Sequence, residues 1–167
     1  MIDERTVREL LGLAPHPAEG GFYAETYRSQ ERVSRGGLPS RYAADRSFGT
    51  AIYYLLSPET FSEMHRLASD EVFHFYLGDA VEMLQLHPDG SGLVVTLGID
   101  LAAGERPQVV VPRGVWQGAR LVPGGRLALL GCTVAPGFDH ADYEQGRRED
   151  LLRSHPAFRD RILSLTR

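Results

Sequence analysis

The sequence predicts an all-β domain, an antiparallel sandwich or small barrel with short helices at its two ends, and three observations carry that expectation. From about Ser47 to Val134 the chain runs through "GTAIYYLL", "FSEMHRL", "EVFHFYLG", "AVEMLQLH", "GLVVTLGI", "PQVVVP", "GARLV" and "RLALLGCTV", each of strand length and most of them alternating or β-branched. The turn-forming pieces "SPE", "HPDGSG", "AAGERP", "PRG" and "VPGG" separate them, too short for crossover helices and suited to antiparallel neighbours. Neither a repeat nor a linker breaks the 167 residues, a length that fills one core and not two. Residues 1–167 therefore read as a single domain, with a helix at 3–11, strands over about 20–136 and a helical tail over about 146–165.

Each element has a local cause. Asp3 is placed to cap the first helix behind Ile2, with Val7, Leu10 and Leu11 on one face and Gly12 to stop it. "PHPAEGG" breaks the chain, and "FYAETYRS" then alternates as a strand. Residues 32–46 are polar around Gly36–Gly37–Leu38–Pro39 and read as a mobile loop. In the tail, Pro156 falls near the start of a second helical piece, so the helix is expected to be broken there.

Composition excludes several functions. No apolar run approaches the roughly eighteen residues of a membrane span, and the acidic "MIDERTVREL" shows no secretory signal, so a cytoplasmic protein with no membrane partner is expected. The single cysteine, Cys132, precludes an intrachain disulfide and reads as an inert core residue. Net charge is −4, and all 18 basic residues are arginine, which excludes Schiff-base chemistry on a lysine. The nearest thing to a basic cluster, Arg147–Arg148, is followed at once by Glu149–Asp150, so no nucleic-acid partner is expected.

Chemistry concentrates in "HRLASDEVFHFYLG", residues 65–78. Strand alternation puts His65 on one face with Phe61, Glu63 and Leu67, and Glu71 with Phe73, Phe75 and Leu77. A carboxylate among phenylalanines is costly unless paired, metal-bound or protonated, and His65 is its nearest candidate partner. His74 alternates away and reads as a structural histidine bonded to a neighbouring strand. His16 and His140 lie in turn-rich segments, either on the surface or closing over a pocket.

Those residues carry a family resemblance. His65, Glu71 and Gly78 fit the first cupin motif, H-x-H-x3-E-x6-G, with Leu67 in place of its second histidine. "VPRGVWQGA" resembles the second motif, P-x-G-x-x-H, with Gln117 in place of histidine. "HPAEGGFYAETYRS", "IYYLL", "HRLASDEVFHFYLG", "VPRGVWQGA" and "GCTVAPGFDHADYE" together resemble, in order, a small single-domain cupin branch long catalogued as a domain of unknown function. The resemblance implies a cupin-type double-stranded β-helix, or jelly-roll barrel, assembled as a homodimer, with the strand "GFYAETYRS" available to pair with a partner's edge. Cupins commonly hold a divalent metal on three histidines and a glutamate. Here His65, Glu71 and Gln117 are only weak metal candidates, so no cofactor is required and at most a weak or adventitious divalent metal is expected.

On that fold the pocket is expected to be lined by Tyr23, Glu25 and Tyr27 on one strand face, with Tyr53, Phe73, Trp116 and Gln117 around His65 and Glu71, a mixture suited to a sugar-like or small polar ligand. The reading favoured is a metal-independent isomerase or epimerase. His65 would be the base, its pKa raised by Glu71, and Tyr53 or Tyr27 the acid. A non-catalytic small-ligand (carbohydrate-like) binding or sensor domain needs the same pocket without a base, and a metal-dependent cupin enzyme needs ligands this sequence lacks.

Overall fold

The structure, a computed structural model, describes residues 2–167. Helix α1 (Glu4–Leu11) is capped by the Asp3 carboxylate, which accepts from the Thr6 amide, and ends at Gly12 in the left-handed region. The strands β1 (Ala14–Pro15), β2 (Phe22–Arg28), β3 (Arg32–Val33), β4 (Arg46–Ser47), β5 (Thr50–Leu56), β6 (Ser62–Leu67), β7 (Asp70–Gly78), β8 (Val81–Leu86), β9 (Gly92–Leu97), β10 (Gln108–Val111), β11 (Trp116–Leu121), β12 (Ala128–Ala135) and β13 (Tyr143–Gln145) follow, and α2 (Arg148–Ser154) and α3 (Arg159–Ser164) close the chain. Two antiparallel sheets face each other, one ordered β1-β2-β5-β12-β7-β10 and the other β13-β6-β11-β8-β9, with β3-β4 as a separate pair. This is the all-β jelly roll that the resemblance implied. No helix among the described residues is long and apolar enough to cross a membrane.

The strands form because alternate residues have somewhere apolar to go. The space between the sheets is filled by Tyr54, Leu56, Phe73, Phe75, Met83, Leu97 and Leu130 among others, most of them with no exposed surface. Full burial of one such side chain stabilises the fold by roughly 1.5–3 kcal/mol. The outer face of the second sheet is covered by the tail, where Met64, Leu84 and Leu86 pack against Leu151, Ile162 and Leu165. The outer face of the first sheet is covered at one end by α1, through Val7, Leu55 and Leu129. Gly78 ends β7 at φ +104°, and a Cβ there would lie 2.3 Å from the Leu127 carbonyl oxygen, so only glycine makes the turn into β8.

Two expectations need correction. Residues 32–46 are anchored rather than loose. Tyr42 is fully buried with its hydroxyl 2.9 Å from Ser69 Oγ, and the buried Arg46 guanidinium donates to both Asp142 carboxylate oxygens at 2.6 and 2.7 Å. Polarity suggested solvent, but a long-range ion pair and one aromatic hold the segment down. Strand β13 has no alternating pattern of its own; it exists because β6 offers it a free edge, pairing Tyr143 with Leu67 and Gln145 with His65.

Candidate active site

One cavity of about 310 Å³ opens between β2, β5, β7 and β12 and the segment that precedes β13. Its inner end is built by the connector before β2. There His16 Nδ1 accepts from the Ala18 and Glu19 amides at 3.3 and 2.9 Å, and the Glu63 amide of β6 donates to the Glu19 carbonyl at 2.8 Å. The turn back to β2 needs Gly20, at φ +91°, where a Cβ would sit 2.5 Å from the Phe61 carbonyl oxygen. This small loop drops the Glu19 side chain into the cavity beside Glu71, which enters from β7.

The inner end is short of strong bonds for Glu19. Its carboxylate lies 3.7 Å from His16 Nε2, 3.6 Å from His65 Nε2 and 3.5 Å from Ser62 Oγ, and the side chain is 14% exposed. Burial raises the Glu19 carboxyl above its ordinary range. Glu71 receives the Gln117 amide at 2.6 Å and the Cys132 thiol, yet burial, reinforced by the Glu19 charge, pushes its pKa up to about 7. Gln117 is 1% exposed, and its Oε1 has no partner among the described residues. The buried Cys132 thiol is held well above its ordinary value, which keeps it protonated and removes it as a nucleophile.

His65 stands behind this wall. It is 1% exposed and stacks on Tyr143 with ring centroids 5.2 Å apart. Its Nδ1 is 2.7 Å from the Glu63 carbonyl oxygen, which can only accept, so Nδ1 carries the proton and Nε2 presents a lone pair toward Glu19. Burial lowers its pKa and outweighs the attraction of Glu71, opposite in sign to the sequence expectation, because the imidazolium would lose more hydration than one nearby carboxyl returns.

The expected site residues fall in three groups. Glu71, Tyr23 and Glu25 line the cavity, and His65 and Gln117 back it. Tyr27 and Tyr53 do not reach it. Tyr23 pairs with Tyr54 and Glu25 with Ile52, a bulge follows at Thr26, and Tyr27 then pairs with Ala51 on the outer face, 57% exposed. The bulge puts Arg28 in the wall instead, where it donates to Glu25 at 2.9 and 2.7 Å and to the Phe138 carbonyl at 3.0 Å. Of the adjacent tyrosines on β5, alternation turns only Tyr54 inward, and it goes to the core between the sheets rather than to the cavity, its hydroxyl donating to the Gly20 carbonyl at 2.8 Å; Tyr53 packs with Leu55 beneath α1. Phe73 is buried in the main core, and Trp116 lies under the tail with the Arg66 guanidinium 4.4 Å above its ring.

Sequence reasoning missed Glu19, Arg28 and Phe138 as site residues, and it left His16 and His140 open. All five line the cavity. The one signal available was "PHPAEGG", an acid and a histidine held in a turn. Cys132 is buried as expected but faces the cavity rather than pure core. His74 is on the outer face as expected, 3.2 Å from Thr133 Oγ1 and 3.3 Å from the Gln108 amide, though half-exposed rather than buried.

The cupin metal does not fit this donor set. Leu67 lines the cavity where the motif has its second histidine, and Gln117 turns its amide nitrogen, not its oxygen, to Glu71. Among the described residues no three His, Cys, Asp or Glu side chains are grouped to hold a metal ion.

Comparison with known proteins places the chain among relatives that match it almost end to end. A family model described as "Cupin superfamily (DUF985)" matches residues 5–146. The uncharacterised protein YML079W of Saccharomyces cerevisiae is 31% identical over 143 residues, 81% of this chain and 71% of its own. The crystal structure of protein SO0799 from Shewanella oneidensis superposes with a TM-score of 0.87 at 36% identity, covering 100% of this chain and 99% of its own. A hypothetical protein from Leishmania major does so with a TM-score of 0.87 at 29% identity, over 99% of both chains. With the first motif on β6 and β7 and the second on β11, paired with β6 in the jelly roll, the chain belongs to the cupin superfamily, in its DUF985 branch.

Proposed function

We propose that this cavity catalyses metal-independent proton transfer on a small polar organic substrate, in the manner of an isomerase or epimerase. The observation that carries the reading is the meeting of two carboxyls, the buried Glu71 and the largely buried Glu19, with the His16 imidazole in one cavity, with His65 Nε2 immediately behind. An acid and a base brought to one end of a cavity by different elements, here the loop before β2 and strand β7, are what such a reaction needs. One carboxylate removes a proton from the carbon beside a carbonyl. A protonated neighbour at the same end, the second carboxyl or His16 Nε2–H, returns one to the neighbouring oxygen or to the carbon. The substrate is rearranged with no change of oxidation state.

Glu71 suits the task because a carboxyl near 7 is partly ionised at neutral pH and serves in either direction. Glu19 and Glu71 take the base and acid roles that the sequence suggested for His65 and Tyr53. The neutral His65 ring presents its Nε2 lone pair to Glu19, 3.6 Å away, as an acceptor for that carboxyl when it holds a proton. Cavity size limits the substrate, since about 310 Å³ is at the small end for ligand sites and suits one sugar-sized ring rather than a dinucleotide.

The test is solvent exchange. Purified protein in D2O is incubated with aldoses, ketoses, lactones and hydroxyketones, and loss of the proton beside the carbonyl is followed by NMR. Protein-dependent exchange is expected, falling about 100-fold or more in Glu71→Gln and in Glu19→Gln. Saturable binding of these compounds with no exchange would replace this reading by the non-catalytic binder.

A further inference from the structure

We propose that the inner end of the cavity receives a primary ammonium group, so that the ligand is a small amine, such as an amino sugar or amino alcohol, and not a phosphate or a carboxylic acid. The inference deepens the reading above by naming a substrate class for the same cavity, and its test is a binding measurement that needs no turnover.

The balance of donors and acceptors carries it. Three carboxylates line the cavity, Glu19, Glu25 and Glu71, against one arginine, Arg28. That arginine is committed at the mouth, with Nε and Nη2 on Glu25 and Nη1 on the Phe138 carbonyl. Glu19 and Glu71 are left at the inner end with no permanent cation. His65 cannot supply one, since its proton is on the far nitrogen, held by the Glu63 carbonyl, and its near nitrogen is an acceptor.

Acceptors therefore outnumber donors. Among the described residues no donor side chain lies closer to the Glu19 carboxylate than 3.5 Å, beyond ordinary hydrogen-bond range. Gln117, whose side chain is directed at Glu71, carries a buried Oε1 with no partner among the described residues. A buried acceptor left unmade is costly, and native structures rarely tolerate it without a ligand or water to complete it. A hydroxyl brings one proton to this end; an ammonium brings three and the missing charge, and its bonds to carboxylates are the stronger kind. The wall beside it is aromatic, with the His16 and Tyr23 rings edge to face at 4.7 Å, a surface a cation tolerates well. A phosphate or carboxylate would meet two carboxyls and orphaned acceptors, and would be repelled. Without a ligand, burial holds both carboxyls above their ordinary range, and an ammonium set beside them would lower both again. Binding of an amine should then release protons.

The experiment is calorimetric and NMR titration of the intact protein with matched probes: glucosamine, glucose and glucose 6-phosphate, and cyclohexylamine, cyclohexanol and cyclohexanecarboxylate. The expected result is that the amine of at least one set binds about tenfold or more tighter than its alcohol, that the anion binds weakest, and that repeating the titration in buffers of different ionisation enthalpy shows proton release. Glu19→Gln and Glu71→Gln, both isosteric, should each erase the preference while the amide NMR spectrum shows the fold retained. Equal or weaker binding of both amines, tighter binding of an anion, an amine preference that survives in both variants, or no amine binding at millimolar concentration would overturn the proposal. Deuterium exchange on neutral substrates together with any of these results would leave the proton-transfer reading standing and remove only the amine.

Discussion

Replacing Glu71 by glutamine should make the protein more stable at neutral and alkaline pH, and the gain should vanish in acid. In the folded protein burial lifts the carboxyl from 4.5 to about 7, whereas in the unfolded chain it returns to its ordinary value. Between those two values the folded state holds the proton and the unfolded state has released it, so stability falls as pH rises. Each tenfold in proton affinity is worth about 1.4 kcal/mol, which makes the penalty about 3 kcal/mol, fully present above pH 7 and absent below 4.5. Glutamine is never charged and carries no such term. It can also keep the contact with Gln117, one amide donating and the other accepting. The difference between Glu71→Gln and the parent is thus expected to be near zero at pH 4.5 and to grow to about 3 kcal/mol by pH 8, or about 6–12 °C in Tm for a chain of this size. Urea or thermal unfolding from pH 4 to 9 measures it. A difference that is flat with pH, or that grows toward acid, would refute the argument that burial governs this carboxyl.

Arg46→Ala leaves Asp142 buried without its guanidinium and is expected to cost about 3–5 kcal/mol, read by urea unfolding, with faster amide exchange in residues 136–146. His74→Ala should cost under about 1 kcal/mol and leave ligand binding unchanged, because its two bonds are long and its ring is half-exposed; a loss of binding would show that the outer face of β7 matters to the site. Elemental analysis of the purified protein is expected to find less than one equivalent of tightly bound transition metal, given Leu67 and the orientation of Gln117; full occupancy on His65 and Glu71 would reverse that expectation. Sedimentation at micromolar concentration should give a dimer, since β1 covers only Phe22 and Tyr23 of β2 and, among the described residues, no strand pairs with the rest of that edge beside the exposed Tyr27; a monomer would count against it.

What the sequence by itself determined is the part governed by local rules. Asp3 and Gly12 bound α1 because capping acts within a few residues. Strands β5 to β12 lie where short alternating runs meet turn residues, because pleat periodicity and glycine or proline turns are both local. Parity likewise put Glu71 and Phe73 inward and His74 outward on β7. Parity fails where register enters. A single bulge at Thr26 exchanges Tyr27 for Arg28, and pairing with Tyr23 selects Tyr54 over Tyr53; neither is written in its own strand, since both depend on which residue of the neighbour lies opposite. The tertiary structure alone decided the composition of the cavity. Glu19 and His16 arrive from a loop some fifty residues before Glu71, and Phe138 and His140 from one nearly seventy residues after it. The charge state of the site is also tertiary, because the rise of Glu71 to about 7 comes from lost hydration and the Glu19 charge, both set by what the closed sandwich brings around the carboxyl.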